Sequence, residues 1–218
     1  MGCQLADFPK VSVLISAYNH APFLEETIQS VFNQTFQDFE LIVLDDGSTD
    51  GTQEVMKKYI GVERIRCFFE DHGGASIARN KCIEKARGKY AAFLDSDDVW
   101  ISDKLERQVA FLDAHPEVGL IHGAVELINT QVRFLEKETN VLRKAYGKAR
   151  RRGEDYAGLP ESATIFSSAV LFHKQWLDRV GGLDANLSTL QDLDLYLRLT
   201  FKGCRIAFLR GHPVARYR

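Results

Sequence analysis

Two acidic clusters directly follow short apolar runs, and their residue types suit metal and phosphate chemistry. Residues 45–48 read Asp-Asp-Gly-Ser after the apolar run 41–44, and residues 95–98 read Asp-Ser-Asp-Asp after the run 90–94. Carboxylate oxygens are favoured ligands of Mg²⁺ and Mn²⁺, which often share their coordination shell with substrate phosphates. Such sequences also form turns and helix caps, but two of them at adjacent strand ends favour a site for a divalent cation and a diphosphate.

The apolar pattern of the first half explains how both clusters reach one place. Four apolar runs, at 11–15, 41–44, 65–69 and 90–94, alternate with segments of helical periodicity. This alternation predicts an α/β domain built from parallel βαβ units with right-handed crossovers. Because ligands bind beyond the carboxyl ends of the strands in an open parallel sheet, we expect the clusters to share one cleft with Tyr18, which follows the first run.

The second half predicts a smaller region with a mixed sheet. A helix expected at 102–112 precedes this region. Its own expected helices are 176–180 and 192–201, and its expected strands are a partly exposed hairpin of 118–128 with 131–135 and a strand at 169–172. Residues 137–161 have little apolar periodicity and contain a basic run from Arg143 to Arg152. We interpret this run as a solvated loop. The alternatives are contact with the diphosphate, with an anionic acceptor or with a membrane surface.

Composition and motif content exclude several classes of protein. The chain has 218 residues and a formal net charge of -2, so it lacks the basic excess typical of nucleic-acid binding. No apolar run approaches the ~20 residues that span a bilayer, and the cysteines are too scattered for a structural zinc site. The first strand is followed by neither GxGxxG nor GxxxxGK(S/T). We therefore expect a cytoplasmic protein that is neither a dinucleotide-binding nor a P-loop enzyme.

A series of motifs in a fixed order carries a family resemblance. The motifs of the first half are 11–19, 30–36, 44–50, 74–80 and 88–98, and the match resumes at 180–184 and 191–199. In this order the chain resembles the family 2 glycosyltransferases. The resemblance implies a single GT-A domain with a donor half at about 1–112 and an acceptor half at about 113–218. Since that family normally continues further, a C-terminal truncation is expected.

The resemblance also implies roles for individual side chains. Tyr18 and Asp45 would hold the nucleobase, Asp46 and Arg79 would join them at the nucleotide, Asp95 would approach the ribose, Asp97 would bind the metal, and Asp192 would be the general base. Helix capping is the alternative for Asp192, because this residue lies at the start of a predicted helix. Gln191 stands where the family usually has a glutamate, so Asp192 lacks a charged neighbour there.

These roles predict an inverting glycosyltransferase that depends on Mn²⁺ or Mg²⁺. Its donor would be a nucleotide diphosphate sugar, with a UDP-sugar as the first choice, and its acceptor a carbohydrate or lipid-linked sugar in surface polysaccharide or glycan assembly. The cation would stabilise the leaving diphosphate. A carboxylate would take the acceptor's proton, and general-base catalysis of this kind typically raises the rate by ~10²–10⁴-fold. A sugar-nucleotide nucleotidyltransferase and a non-catalytic nucleotide-sugar binder are the alternatives.

Overall fold

Buried strands and amphipathic helices alternate through the first half of the chain. The computed structural model describes residues 8–141, 144 and 165–218. The strands are β1 (Val11–Ala17), β2 (Phe39–Asp46), β3 (Ile65–Glu70), β4 (Tyr90–Phe93), β5 (Val99–Trp100), β6 (Val118–Gly123), β7 (Val125–Leu127), β8 (Val170–His173), β9 (Arg205–Leu209) and β10 (Ala215–Tyr217). The helices are α1 (Ala21–Phe32), α2 (Thr52–Lys57), α3 (Ala75–Lys85), α4 (Lys104–Ala114), α5 (Lys174–Val180) and α6 (Gln191–Phe201), and a 3₁₀ turn spans Ser167–Ala169.

The main sheet has the strand order β3-β2-β1-β4-β8-β6-β9. Its first four strands are parallel, which confirms the predicted βαβ half. Neighbouring residues of β1 face opposite layers: Val13 packs in a core with α1 and α4, whereas Leu14 packs with α3, α5 and α6. This division follows from the two-residue period of a strand. Because both faces are covered by helices, most residues of β1, β2 and β4 are apolar and buried.

Two strands of the second half return to the edge of the sheet where β1, β2 and β4 end. β8 pairs antiparallel with β4, so the 3₁₀ turn before β8 lies beside the acidic cluster that follows β4. β10 is the middle strand of a second, three-stranded sheet in the order β5-β10-β7. β5 follows the same acidic cluster, and β10 pairs antiparallel with it. The topology therefore brings parts of both halves to one edge.

The predicted hairpin of 118–128 with 131–135 is confirmed only at its closing end, where Ile128 and Phe134 form an antiparallel bridge. The stretch 118–128 is not one partly exposed strand but β6, which is buried throughout, followed by β7 in the second sheet. The chain changes sheet just after Gly123, where a Cβ would lie 2.7 Å from Val214 and no side chain fits. Beside the Ile128–Phe134 bridge, the Asn129 amide donates to the Arg133 carbonyl at 3.0 Å and the Leu135 amide to the Leu127 carbonyl at 2.8 Å, around a turn in which Val132 has a φ of 60°.

The other predicted elements of the second half are close to those observed. The helices expected at 102–112, 176–180 and 192–201 correspond to α4, α5 and α6. Residues 136–141 are helical, although no element is predicted there. The hydroxyl of Thr139 in this segment accepts a hydrogen bond from the Leu127 amide at 2.9 Å, which ties it to β7. The basic run Arg143–Arg152 lies outside the described residues, apart from Lys144.

Candidate active site

A cavity of about 320 Å³ opens where β1, β2 and β4 end. The residues that line it are Ser16, Ala17, Tyr18, His20, Asp46, His72, Ala75, Ala78, Arg79, Asp95, Ser96, Asp97 and Tyr217. Five of the seven side chains implied by the resemblance are therefore in its wall, all except Asp45 and Asp192. The cavity occupies the place where an open α/β sheet binds its ligands.

The loop after β1 is fixed against the loop after β2. Asn19 adopts a left-handed conformation with a φ of 54°, which asparagine tolerates better than most residues. Its amide donates to Ser48 Oγ at 2.9 Å, and its side-chain oxygen accepts from the Thr49 amide at 2.8 Å. The resulting turn places Tyr18 and His20, the residues on either side, in the cavity wall.

Tyr18 and His72 form a stacked pair at the mouth of the cavity. Their ring centroids are 4.1 Å apart with an angle of 23° between the planes. Asp46 holds this arrangement, because its carboxylate accepts from the amides of Gly73 and Gly74 at 2.8 and 2.9 Å and lies 2.9 Å from His72 Nδ1. The structure therefore gives Asp46 a positioning contact with the loop that carries His72.

Asp45 lies behind the cavity wall. It is fully buried, and its carboxylate accepts from the Ser48 amide at 3.2 Å and from Gln53 Nε2 at 2.8 Å. Gly47 follows the Asp-Asp pair at a φ of 76°, where a Cβ would lie 2.7 Å from the His72 amide nitrogen, so only glycine permits this close approach of the two loops.

Asp97 presents a half-buried carboxylate to the cavity. Burial raises its pKa, the positive charge available on His20 opposes this, and the charge of Asp95 adds to the rise. Within the described ranges, no side chain donates a hydrogen bond to the Asp97 carboxylate, and no three His, Cys, Asp or Glu side chains form a metal site by themselves. The donor set fits a cation that takes one protein carboxylate and completes its shell with phosphate and water.

Asp98 faces away from the cavity and is structural. It is fully buried, its Oδ2 accepts from Ser168 Oγ at 2.6 Å, and its Oδ1 accepts from the Arg218 amide at 2.9 Å. Burial, together with the charge of Asp95, raises its pKa to about 8. The acidic cluster thus divides into two residues that face the cavity, Asp95 and Asp97, and one that anchors the loop.

Arg79 connects the acidic cluster to the predicted base. This side chain of α3 is 16% exposed, and its guanidinium donates to Asp95 Oδ1 at 2.5 Å and to Asp192 Oδ1 at 2.9 Å. Burial by itself lowers the pKa of the guanidinium, but the two carboxylates outweigh it and the net shift is upward. Arg79 is therefore a permanently charged link between two elements that are distant in sequence.

Asp192 lies in the first turn of α6, and its carboxylate does not cap that helix. The N-cap position is Leu190, which has a left-handed φ of 60° and makes no side-chain capping bond. The Asp192 carboxylate instead accepts from Arg79 on one oxygen and from Ser167 Oγ on the other at 2.5 Å. These contacts contradict the capping alternative and place Asp192 next to the cavity residue Asp95.

Comparison with known proteins decides the family. The model of glycosyl transferase family 2 matches residues 12–181. The chain belongs to glycosyl transferase family 2. TuaG of Bacillus subtilis, named for teichuronic acid biosynthesis, is 46% identical over 106 residues, which are 48% of this chain and 42% of TuaG. WfaP of Escherichia coli, a UDP-Glc:α-D-GlcNAc-diphosphoundecaprenol β-1,3-glucosyltransferase, is 40% identical over 104 residues, or 47% of this chain and 41% of WfaP. The matches thus span less than half of either relative.

Solved structures show that this family 2 chain has the GT-A fold, as predicted. TarS 1–349 of Staphylococcus aureus in complex with UDP matches with a TM-score of 0.74 at 22% identity, over 95% of this chain and 60% of that one. The mannosyltransferase PcManGT of Pyrobaculum calidifontis, in complex with GDP-Man and Mn²⁺, matches with a TM-score of 0.75 at 24% identity, over 97% and 57%. Among the described helices, none has the length and apolar character to cross a membrane.

Several site residues of this family 2 chain were missed by sequence reasoning. The six histidines show no close metal-ligand spacing and are expected to be solvated or satisfied rather than metal ligands, so the presence of His20 and His72 in the cavity wall was not foreseen. Tyr217 reaches it only because β10 inserts into the second sheet. Ser167 and Ser168 lie before a predicted strand and carry no motif. Their contacts depend on the antiparallel direction of β8, which the sequence does not reveal.

Proposed function

We propose that this family 2 chain transfers a sugar, with inversion, from a nucleotide diphosphate sugar to a hydroxyl group of a carbohydrate or lipid-linked acceptor in surface polysaccharide assembly. One observation carries the proposal. The Arg79 guanidinium binds Asp95 in the cavity wall and Asp192 on α6, so the donor pocket and the proposed base adjoin each other. An inverting transfer needs this juxtaposition, because the acceptor must attack the donor sugar on the face opposite to the leaving diphosphate.

The named proteins support the choice of donor and acceptor. TarS was solved with UDP and with UDP-GlcNAc, and WfaP is named for UDP-Glc and a diphosphoundecaprenol-linked sugar. We therefore propose a UDP-sugar as donor and a lipid-linked sugar at the cytoplasmic face of a membrane as acceptor. The Tyr18–His72 pair offers aromatic surface to a nucleobase at the cavity mouth. We assign Asp45 and Asp46 to the shape of this subsite and Asp95 to the ribose.

Asp97 is the residue that we assign to a divalent cation. PcManGT was solved with Mn²⁺ and GDP-Man. In this chain the Asp97 carboxylate faces the cavity, and no side chain among the described residues donates a hydrogen bond to it. A bound Mn²⁺ or Mg²⁺ would stabilise the negative charge of the leaving diphosphate. The chain's own contribution is a half-buried carboxylate on a loop held by Asp98, which leaves phosphate and water to complete the coordination shell.

Asp192 is the group that we assign to the acceptor's proton. Arg79 and Ser167 each donate to one of its oxygens. An ionised carboxylate offers about four acceptor positions, so positions remain for a hydroxyl group. As that hydroxyl attacks the anomeric carbon, its proton passes to Asp192 while the glycosidic bond to the diphosphate breaks.

Product analysis with defined substrates tests the function. Purified protein is incubated with Mn²⁺, a lipid-linked GlcNAc diphosphate acceptor and, in turn, UDP-Glc, UDP-GlcNAc and GDP-Man. We expect release of the nucleoside diphosphate and a β-linked product from an α-linked donor with one of the UDP-sugars. A nucleotidyltransferase would instead form pyrophosphate from a nucleoside triphosphate and a sugar phosphate. A non-catalytic binder would bind UDP and form no product.

A matched pair of variants on α6 locates the base. Asp192→Asn should lower turnover by ~10²–10⁴-fold, the usual contribution of a general base, and leave UDP affinity nearly unchanged. Asp194→Asn is the control, because Asp194 pairs with Arg198 at 2.7 Å on the same helix. It should keep parental turnover. Parental turnover in Asp192→Asn, or its loss in Asp194→Asn alone, would contradict the assignment of the base.

A further inference from the structure

Two consecutive serines bind the two catalytic regions from one short turn. Ser167 Oγ donates to Asp192 Oδ2 at 2.5 Å. Ser168 Oγ donates to Asp98 Oδ2 at 2.6 Å and accepts from the Asp95 amide at 3.0 Å. Both serines are buried, at 5% and 0% exposure. One hydroxyl therefore contacts the proposed base, and the next contacts the acidic cluster that carries Asp97.

The backbone of this turn is held by side chains of the donor half. Three successive carbonyls, those of residues 168 to 170, accept hydrogen bonds from Trp100 Nε1 at 2.8 Å, Gln108 Nε2 at 2.8 Å and Lys104 Nζ at 3.1 Å. All three donors are buried. Since three buried donors fix three successive peptide groups, the turn has little freedom to move relative to the acidic cluster.

The contacts on Asp192 show why a second donor matters. Arg79 alone fixes one oxygen of the carboxylate, which leaves rotation about the terminal side-chain torsion of Asp192, a torsion with a broad energy profile. Ser167 fixes the other oxygen. Together they set the plane of the carboxylate and therefore the direction of its free lone pairs.

We propose that Ser167 is a positioning residue for Asp192 and Ser168 one for the acidic cluster, so that the turn Ser167–Ala169 sets the position of the base relative to the metal-binding loop. The inference rests on the proposed function, because it takes Asp192 as the base and Asp97 as the metal ligand. The two serines therefore affect different steps. Loss of the Ser167 hydroxyl affects the chemical step, and loss of the Ser168 hydroxyl affects donor binding.

Single substitutions of Ser167 and Ser168 test whether the two hydroxyls affect different steps. Ser167→Ala should lower kcat by ~10–10²-fold, the cost of a misplaced catalytic group, with the Kd for UDP in the presence of Mn²⁺ within about twofold of the parent. Ser168→Ala should weaken Mn²⁺-dependent UDP binding by ~10-fold, the value of about one hydrogen bond. Parental kcat in Ser167→Ala, or equal loss of UDP affinity in both variants, would overturn the inference.

Two further variants separate this inference from a folding defect and from the proposed function. Ser167→Thr keeps the hydroxyl and should retain most of the parental kcat. Ser167→Val has the shape of threonine without the hydroxyl and should not. Equal kcat in the Thr and Val variants would overturn the positioning role even if Ser167→Ala fails to fold. Asp192→Asn distinguishes failure of this inference from failure of the proposed function. If Asp192→Asn is inactive while Ser167→Ala has parental kcat, only the positioning role of Ser167 fails. If Asp192→Asn is fully active, the assignment of Asp192 as the base fails as well.

Discussion

Asp95 and Asp192 share one counter-ion, the Arg79 guanidinium, which lies 2.5 Å from the first carboxylate and 2.9 Å from the second. With Asp97, these three carboxylates and one guanidinium carry two net negative charges, and Asp46 adds a fourth carboxylate to the cavity wall. A divalent cation neutralises two charges, and a diphosphate then adds negative charge that the same cation stabilises. The charge balance of the site thus agrees with the metal dependence proposed above.

Replacement of Arg79 by lysine tests this shared contact. A lysine has one ammonium group in place of the planar fork of arginine and cannot bind two carboxylates in the same geometry. We expect Arg79→Lys to lower kcat/KM by ~10–10²-fold, since the orientation of Asp192 relative to the donor is lost. Steady-state kinetics with saturating acceptor measures the effect. Arg87→Lys, at an exposed position just after α3, is the control and should behave like the parent.

Removal of the Asp97 charge tests the cation. Asp97→Asn should abolish the part of UDP binding that depends on Mn²⁺ while the fold stays intact. Thermal unfolding with and without UDP, Mn²⁺ and chelator measures this, because a ligand at 100 times its Kd stabilises the folded state by about 2.7 kcal/mol. Asp178→Asn on α5, where Asp178 pairs with Lys174 at 2.8 Å, is the matched control. The same metal-dependent shift in Asp97→Asn and the parent would refute the assignment.

Replacement of Gln191 by glutamate tests how a neighbouring charge affects the proposed base, Asp192. Gln191 donates to the Leu187 carbonyl at 3.1 Å and does not contact Asp192, so its replacement leaves the contacts of Asp192 in place. In Gln191→Glu the added negative charge opposes ionisation of Asp192. The acid limb of the rate profile should therefore move to higher pH. Gln191→Ala lacks the added charge and should keep the parental limb; a shift in both variants would speak against an electrostatic cause.

The first half of the site was largely predictable, and the second half was not. Asp95, Asp97 and Tyr18 follow apolar strands, and parallel strands place their carboxyl ends at one edge, so local pattern suffices. Asp46 shows the limit of this reasoning: an Asp-Asp pair predicts a ligand site, yet the Asp46 carboxylate binds two loop amides. Ser167 and Tyr217 reach the site through β8 and β10. The pairing of these strands depends on tertiary packing rather than on local sequence.

Lys104 provides a test of stability rather than activity. Its ammonium is fully buried, where it contacts Gln108 and the Val170 carbonyl, and burial lowers its pKa well below the usual value. Because the pKa of Lys104 is lower in the folded than in the unfolded state, the folded state binds fewer protons. The free energy of unfolding therefore rises with pH up to the unfolded pKa near 10.5 and falls as the pH decreases. The slope should approach about 1.4 kcal/mol per pH unit.

Denaturant unfolding of the parent and Lys104→Met between pH 7 and 9 measures this contribution. The free energy of unfolding of the parent should rise with pH relative to that of the variant, because methionine does not titrate. Lys57→Met, at an exposed position of α2, should give a curve parallel to the parent. If the Lys104→Met curve is also parallel, the ammonium is not a source of pH-dependent stability.

The insertion of β10 between β5 and β7 has a consequence for how such enzymes can be recombined. A chimera that exchanges everything after residue 112 would separate Tyr217 and Ser168 from the Asp95 loop against which they fit. Ile128 and Phe166 share this constraint, because the Ile128 amide donates to the Tyr217 carbonyl at 2.8 Å and the rings of Phe166 and Tyr217 lie 4.7 Å apart. A chimera that exchanges residues between β7 and the 3₁₀ turn would therefore have to keep Ile128 and Phe166 together with the turn, α6 and β10.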